Sequence, residues 1–246
     1  MSEISNVTEP HLTVYQHDKA QDFLRKIVIF KDLSPKSLKV IENQTQTLSF
    51  KKGEQIFSEV DEAQGVFFVK SGVVKLSKQA EDGNEIIVCL KQTGEVFAEA
   101  CLFSKIQECY PATATMMQEG VIYFLDKLAL EKELYNYPEL AIQMISYMSE
   151  QLREMTSTLR DVVLLDVYAK TIKTLERLGR KFSHSQRCDI EIPLTVQEFA
   201  NVVGTSRESV SRVFSKLKKQ EMIDLRARKI IILDWCKFCT LFHSKF

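Results

Sequence analysis

Between Pro138 and Leu165 the chain carries an apolar stripe, Ala141, Ile145, Met148, Leu152, Met155, Leu159 and Val162, whose steps alternate four and three. That is a heptad repeat, and its seam is only wide enough for a second helix like itself. The spacing predicts one long helix, opened by Pro138, and a parallel homodimer with Ile145, Met148, Leu152, Met155, Leu159 and Val162 at the seam. The alternative is a stripe packed on its own domain, although a core-facing helix normally shows a wider apolar face. The stripe breaks at Asp166, where an aspartate can cap a new helix over Val167, Ile172, Leu175 and Leu178 that ends at Gly179. This break is a natural hinge.

Upstream the pattern is different. Residues 1–22 are polar and aperiodic and read as an arm, and the segment that follows suggests short helices broken at Ser34-Pro35. Six of the eight glycines, at 53, 65, 72, 83, 94 and 120, then separate short β-rich runs such as Val66–Val69, Val73–Leu76, Ile86–Leu90 and Val121–Phe124. Turns at Lys70-Ser71-Gly72 and Asp82-Gly83-Asn84 predict a compact antiparallel β-roll or barrel. The expected fold is α+β, divided into an arm (1–22), a β-roll sensor (23–137), a dimerisation helix (138–165) and a DNA-binding domain (166–246).

That last assignment comes from residues 194–219, LTVQEFANVVGTSRESVSRVFSKLKK. Thr195 and Glu198 form a T-x-x-E capping box, Phe199, Val202 and Val203 an apolar face, Gly204 a turn, and Ser206 the cap of a second helix. The sum is a helix-turn-helix, whose second helix enters the major groove by its first turn. Here that turn carries Arg207, Glu208, Ser211 and Arg212. Arginine suits the O6/N7 edge of guanine and glutamate accepts from cytosine N4, with Lys216, Lys218 and Lys219 placed for phosphates. Taken singly, each residue reads equally well as a solvated surface group; their joint order in one stretch is what is specific. Ile223–Leu225 and Lys229–Leu233 predict a β-hairpin wing, though without the turn glycine expected near Ala227.

Charge agrees with this division. The whole chain is neutral, with 33 Lys and Arg against 33 Asp and Glu, yet residues 166–246 hold 16 basic and 9 acidic residues. The remainder is correspondingly acidic, so a polyanion such as double-stranded DNA is the expected partner of the basic end. No apolar run approaches the roughly 18 uncharged residues of a membrane helix, so a cytoplasmic protein without a membrane partner is expected.

The order of β-roll, long helix, hinge and winged helix-turn-helix resembles the Crp/Fnr superfamily of bacterial transcription factors, from about Asp22 to Phe242. Similar stretches are LRKIVIFKDLS, KKGEQIF, FFVKSGVVKL, EDGNE, GEVFAEACLF and TSRESVSR, the last highly specific. The resemblance implies a homodimeric regulator that partners double-stranded DNA and RNA polymerase. In that family Arg-Glu-x-x-x-Arg reads TGTGA-type half-sites and Glu-x-x-Ser-Arg reads TTGAT. Arg207, Glu208, Ser211 and Arg212 overlay both, which implies an inverted repeat related to TGTGA-N6-TCACA, with Thr195, Ser206 and Lys216 as further contacts.

The resemblance also places an effector pocket at Gly94, Glu95, Glu99, Tyr110 and Ala112. Cyclic-nucleotide members need a glutamate for the ribose, matched here by Glu99, and an arginine for the cyclic phosphate. Tyr110-Pro111-Ala112 stands at the arginine step, and no arginine occurs from Lys26 to Leu152. A buried phosphate would lack its bidentate partner, and Lys105 offers only a point charge, so cyclic AMP is not expected. Cys236, Cys239 and His243 share one stripe of a possible last helix and are weak candidates for a metal or iron–sulfur site. The plainer reading of these cysteines is small thiols in an apolar cap with Trp235, Phe238, Leu241 and Phe242. Cys101 and Cys109 flank the pocket and could form a redox switch, with core packing favoured, and His11 or His17 gives only a weak case for haem. The rival readings are a cupin-like enzyme, which the histidine-free roll disfavours, and a cyclic-nucleotide module that binds no DNA, which the C-terminal motif disfavours. No catalytic set is recognisable, so an enzyme is not expected. The expected mechanism is a signal in the roll that shifts the long helices at the seam and turns two winged domains about Asp166, setting recognition helices about 34 Å apart.

Overall fold

The computed structural model describes residues 23–81, 83–102, 109–183 and 188–242. The arm, Lys105 and all four histidines lie outside them. The chain divides into two compact units: one takes the residues up to Lys78 together with Val88–Glu150, the other Gln79–Ile87 together with Gln151–Phe246.

In the first unit Ser34 accepts a bond from the Ser37 N–H and caps α1 (Pro35–Gln44), so Ser34-Pro35 begins a helix as its spacing implies. Strands β1 (Thr45–Phe50), β2 (Gln55–Phe57), β3 (Gly65–Ser71), β4 (Val73–Gln79), β5 (Glu85–Gln92), β6 (Val96–Phe97), β7 (Thr113–Met116) and β8 (Gly120–Asp126) follow. They form two four-stranded sheets, in the orders β1-β8-β3-β6 and β2-β7-β4-β5. The four β-rich runs of the sequence lie within β3, β4, β5 and β8. β1, β2, β6 and β7 escaped notice because they are short or broken by polar residues. So did α2 (Lys127–Asn136), capped by Asp126.

Two apolar clusters fill this unit. One joins Leu24, Ile27, Phe30, Leu38 and Ile41 to Phe68, Tyr123 and Leu125 of the strands. The other is aromatic: Phe57, Phe67, Phe97 and Tyr110 lie together between the sheets, with Phe124 against Phe67.

The long helix α3 spans Pro138–Leu164, as the heptads predict. Its first half corrects the simple seam. Leu140 and Met144 are fully buried in the roll's core, and Ala141, Tyr147 and Met148 pack against it in part. The alternative of packing on its own domain thus holds for this half, because Leu140, Met144 and Tyr147 widen the apolar face beyond the stripe. Met148 accordingly belongs partly to the roll. Further along, Leu152, Met155 and Leu159 of the stripe are 65%, 59% and 64% exposed in the single chain.

In the second unit Asp166 accepts from the Ala169 N–H at 2.7 Å and caps α4 (Val167–Phe182). The helix does not end at Gly179 but runs through it. A Cβ there would stand 2.3 Å from the Trp235 ring, so the glycine serves a close approach instead of a stop. The remaining elements are β9 (Ile190–Ile192), α5 (Val196–Val203), α6 (Arg207–Lys219), β10 (Ile223–Arg226), β11 (Lys229–Ile232) and α7 (Trp235–Phe242). The wing is a three-stranded sheet in the order β10-β11-β9; β9 is too short to register as a periodic run.

Candidate DNA interface

The helix-turn-helix is built by its caps. The Thr195 hydroxyl accepts from the Glu198 N–H and the Glu198 carboxylate accepts from the Thr195 N–H at 2.7 Å, closing the box. Thr195 therefore has a structural task at the start of α5. Gly204 takes the left-handed φ of 71° that turns the chain, and the Ser206 hydroxyl accepts from the Ser209 N–H to start α6. Phe199 of α5 meets Phe214 of α6 at 5.0 Å between ring centres, and Val203, Val210, Val213 and Leu217 are buried around them. Burying that face fixes which residues of α6 point outward. Arg207, Glu208, Arg212 and Lys216 are exposed and Ser211 is half-buried; Glu208, Ser211 and Arg212 share one face of the helix by their i, i+3, i+4 spacing, with Arg207 at its first turn.

The cations of this unit fall into two classes. Lys218 pairs with Asp224 at 3.1 Å, Arg226 pairs with the same carboxylate at 3.2 Å, and Lys229 pairs with Glu191 at 2.6 Å. These contacts hold the Asp224 carboxyl below the ordinary range, with Lys218 the leading cause. Lys218, expected at phosphates, is thus already engaged with the wing. Arg207, Arg212, Lys216 and Arg228 have no hydrogen-bond or ion-pair partner among the described residues.

Arg228 is the functional candidate that the sequence reading missed, although the absent glycine was its signal. Arg226 pairs with Lys229 across the hairpin, leaving Ala227 and Arg228 as a two-residue turn. Arg228 takes φ 72°, the left-handed conformation a glycine would fill without strain. For a side chain with a Cβ this costs about 1–2 kcal/mol. A cleft of about 470 Å³ is lined by Thr195, Gln197, Arg207, Leu225, Arg226 and Arg228, among others, so the recognition-helix start and the wing tip face one space.

The expected effector residues are arranged differently. Tyr110 is buried, stacks on Phe57 at 3.8 Å between ring centres, and its hydroxyl accepts from the Gln64 N–H. It is a core residue, not a wall of an open pocket, and Ala112 is buried beside it in sequence. Gly94 turns the chain at φ 90°, and Glu95 accepts from the Gln92 N–H within that turn. Glu99 opens a short 3-10 turn (Glu99–Cys101) and lies 3.9 Å from Lys91 Nζ. Lys91, only 4% exposed, donates to the Tyr147 hydroxyl of α3 at 3.0 Å, and that hydroxyl donates to the Val96 carbonyl. Burial opposes the Lys91 charge, but Glu99 and Tyr147 outweigh it and hold the amine above its ordinary range. Burial raises Glu99, with Lys91 pulling the other way. These residues do not fit a cyclic nucleotide: the arginine is absent, an aromatic ring fills the step where it would stand, and Glu99 faces an internal cation.

Cys101 is buried, and Cys109 is exposed with its thiol 3.3 Å from the Val60 carbonyl. Cys236 is exposed and Cys239 half-buried on α7, where burial pushes the Cys239 thiol up. His243 lies outside the described residues, among which no three His, Cys, Asp or Glu side chains gather to hold a metal.

Residues 47–137 match the cyclic nucleotide-binding domain and residues 169–241 the Crp-like helix-turn-helix domain. The chain belongs to the Crp/Fnr family of transcriptional regulators. Among its relatives is the CRP-like cAMP-activated global transcriptional regulator of Mycobacterium tuberculosis, 25% identical over 215 residues that span 87% of this chain and 95% of the relative. The anaerobic regulatory protein of Bacillus subtilis is 28% identical over 197 residues, 79% of this chain and 82% of that protein. In fold the chain is similar to FixK2 from Bradyrhizobium japonicum, with a TM-score of 0.69 at 20% identity over 80% of this chain and 96% of that one. A Crp/Fnr regulator binds DNA, typically as a dimer, and the family is not one of enzymes. Among the described residues no helix of this regulator is long and apolar enough to cross a membrane.

Proposed function

We propose that this regulator reads an inverted repeat related to TGTGA-N6-TCACA as a homodimer. Arg207, Glu208, Ser211 and Arg212 contact base edges, with Lys216 on phosphate and Ser206 and Thr195 setting the helix starts. The observation that carries this reading is the set of exposed, partnerless cations on a helix whose start is fixed by a capped turn. Bidentate arginine pairs of this kind discriminate bases by about 1–3 kcal/mol each. Dimerisation uses the exposed part of the stripe, Ile145, Leu152, Met155, Leu159 and Val162, with Met148 shared with the roll. In this scheme residues 23–137 sense, 138–165 dimerise and 166–246 bind DNA, in the cytoplasm and beside RNA polymerase.

The M. tuberculosis relative is cAMP-activated. For this chain the Lys91–Glu99 pair and the stacked Tyr110 favour a different signal, one that acts on the roll and turns the winged units about Asp166. A mobility-shift titration tests the DNA reading. Arg207→Ala with Arg212→Ala lowers affinity for the repeat by 100-fold or more while leaving the weak, salt-governed binding of random duplex in place. Unchanged affinity in that variant sinks it.

A further inference from the structure

Lys91 reaches from β5 to two other elements of the roll unit at once. Its Nζ is 3.0 Å from the Tyr147 hydroxyl of α3, 3.9 Å from Glu99 Oε1 on the 3-10 turn, and 5.6 Å from the centre of the Tyr147 ring. The Tyr147 hydroxyl extends the connection by donating to the Val96 carbonyl of β6 at 3.0 Å. The Lys91 and Glu99 side chains are 4% and 15% exposed, so these contacts are made away from bulk water, where electrostatic attraction is stronger than at the surface. A small molecule that regulates a protein acts by bonding better to one arrangement of its elements than to another. Lys91 does the same from inside. It joins β5, the turn and α3, and because it is covalently attached it acts at an effective concentration that dilution cannot lower.

The contact bears on the seam through the geometry of α3. Tyr147 lies with Met144 and Met148 on the face turned to the roll's core. A helix turns by about 100° per residue, so tying Tyr147 fixes the direction in which Leu152, Met155 and Leu159 of the same helix point. A heptad seam tolerates little rotation, since each knob must enter a hole of the facing helix. We propose that Lys91 is an internal substitute for an effector. It holds α3 at the azimuth that dimerisation requires, so the regulator binds its repeat without a small molecule, and the signal that acts on the roll works by opening the Lys91–Tyr147 contact. The proposal rests on the half-site and seam readings above.

Removing Lys91 alone leaves Glu99 without its cation, so the decisive variant is Lys91→Met with Glu99→Leu, in which an apolar pair replaces the ionic one and the fold is kept. Urea unfolding checks that it matches the wild type in stability. By sedimentation and mobility shift it is expected to dimerise and to bind the TGTGA-N6-TCACA duplex about 10-fold more weakly. Tyr147→Phe, which removes a single hydroxyl, is expected to lose about 3-fold in both, and it carries the test where the double variant is less stable. Wild type shown free of small molecules by native mass spectrometry is expected to bind the repeat with an affinity that cyclic AMP and cyclic GMP, added in large excess, leave unchanged. A gain of about 10-fold with either nucleotide, or a small molecule carried by the wild type and needed for binding, overturns the proposal. So does a stable variant that dimerises and binds the repeat as the wild type does. Equal affinity of the wild type for the repeat and for random duplex overturns the half-site reading instead, and dimerisation measured without DNA then still decides the role of Lys91.

Discussion

The two units treat their charged side chains in opposite ways. In the roll Lys91 is enclosed and faces Glu99 and Tyr147, so its charge is satisfied before any ligand arrives. On the winged unit Arg207, Arg212, Lys216 and Arg228 stand in solvent without partners, while cations of the same stretch that stabilise the wing are paired off. An enclosed pair fixes a structure; an unpaired exposed cation costs little in water and is available to an anion. The difference separates the part of the molecule that holds its own shape from the part that meets DNA.

The comparison can be broken at several points. The largest effect is expected on the outward-facing stripe: Leu152→Glu places a charge at the centre of the proposed seam, and sedimentation velocity should return a monomer where the wild type is a dimer. Next comes the enclosed charge. Lys91→Met leaves Glu99 without its cation and should cost about 3 kcal/mol in urea unfolding, and adding Glu99→Leu should recover most of it. A single variant as stable as the wild type would mean that Lys91 holds nothing in place. Ser206→Ala removes the cap of α6 and should cost about 1 kcal/mol, with a matching small loss of DNA affinity because the base-reading turn frays. The smallest effect at neutral pH concerns Tyr147, whose phenol is pushed up to about 12 mainly by burial. The folded state then keeps a proton that the unfolded chain releases near pH 10, so this contribution is complete below about pH 10 and lost as pH rises towards 12. Tyr147→Phe should show a shallower fall in urea midpoint over that range.

Legibility followed the same division. The helix-turn-helix could be read because caps, a left-handed glycine and an apolar face are local devices, each spelled by residue types within a few positions: Thr195 with Glu198, Gly204, Ser206 with Ser209. The long helix was legible in period but not in use. Leu140 and Met144 sit off the heptad stripe, and only the fold brings Phe68 and Tyr123 into the core they share. Tyr110 could be seen to displace an arginine, yet its stacking on Phe57 joins residues far apart in the chain and leaves no local mark. Gly179 was misread because a glycine near a helix end usually stops it, and the tryptophan that explains it lies on α7.

That glycine has a practical consequence. Trp235 is the single tryptophan of the chain, and its ring lies against Gly179 of α4 inside the winged unit. Indole emission is therefore a built-in reporter for this unit alone, silent about the roll, and comparing its melting curve with the far-ultraviolet signal of the whole chain would reveal whether the two halves come apart together or in turn.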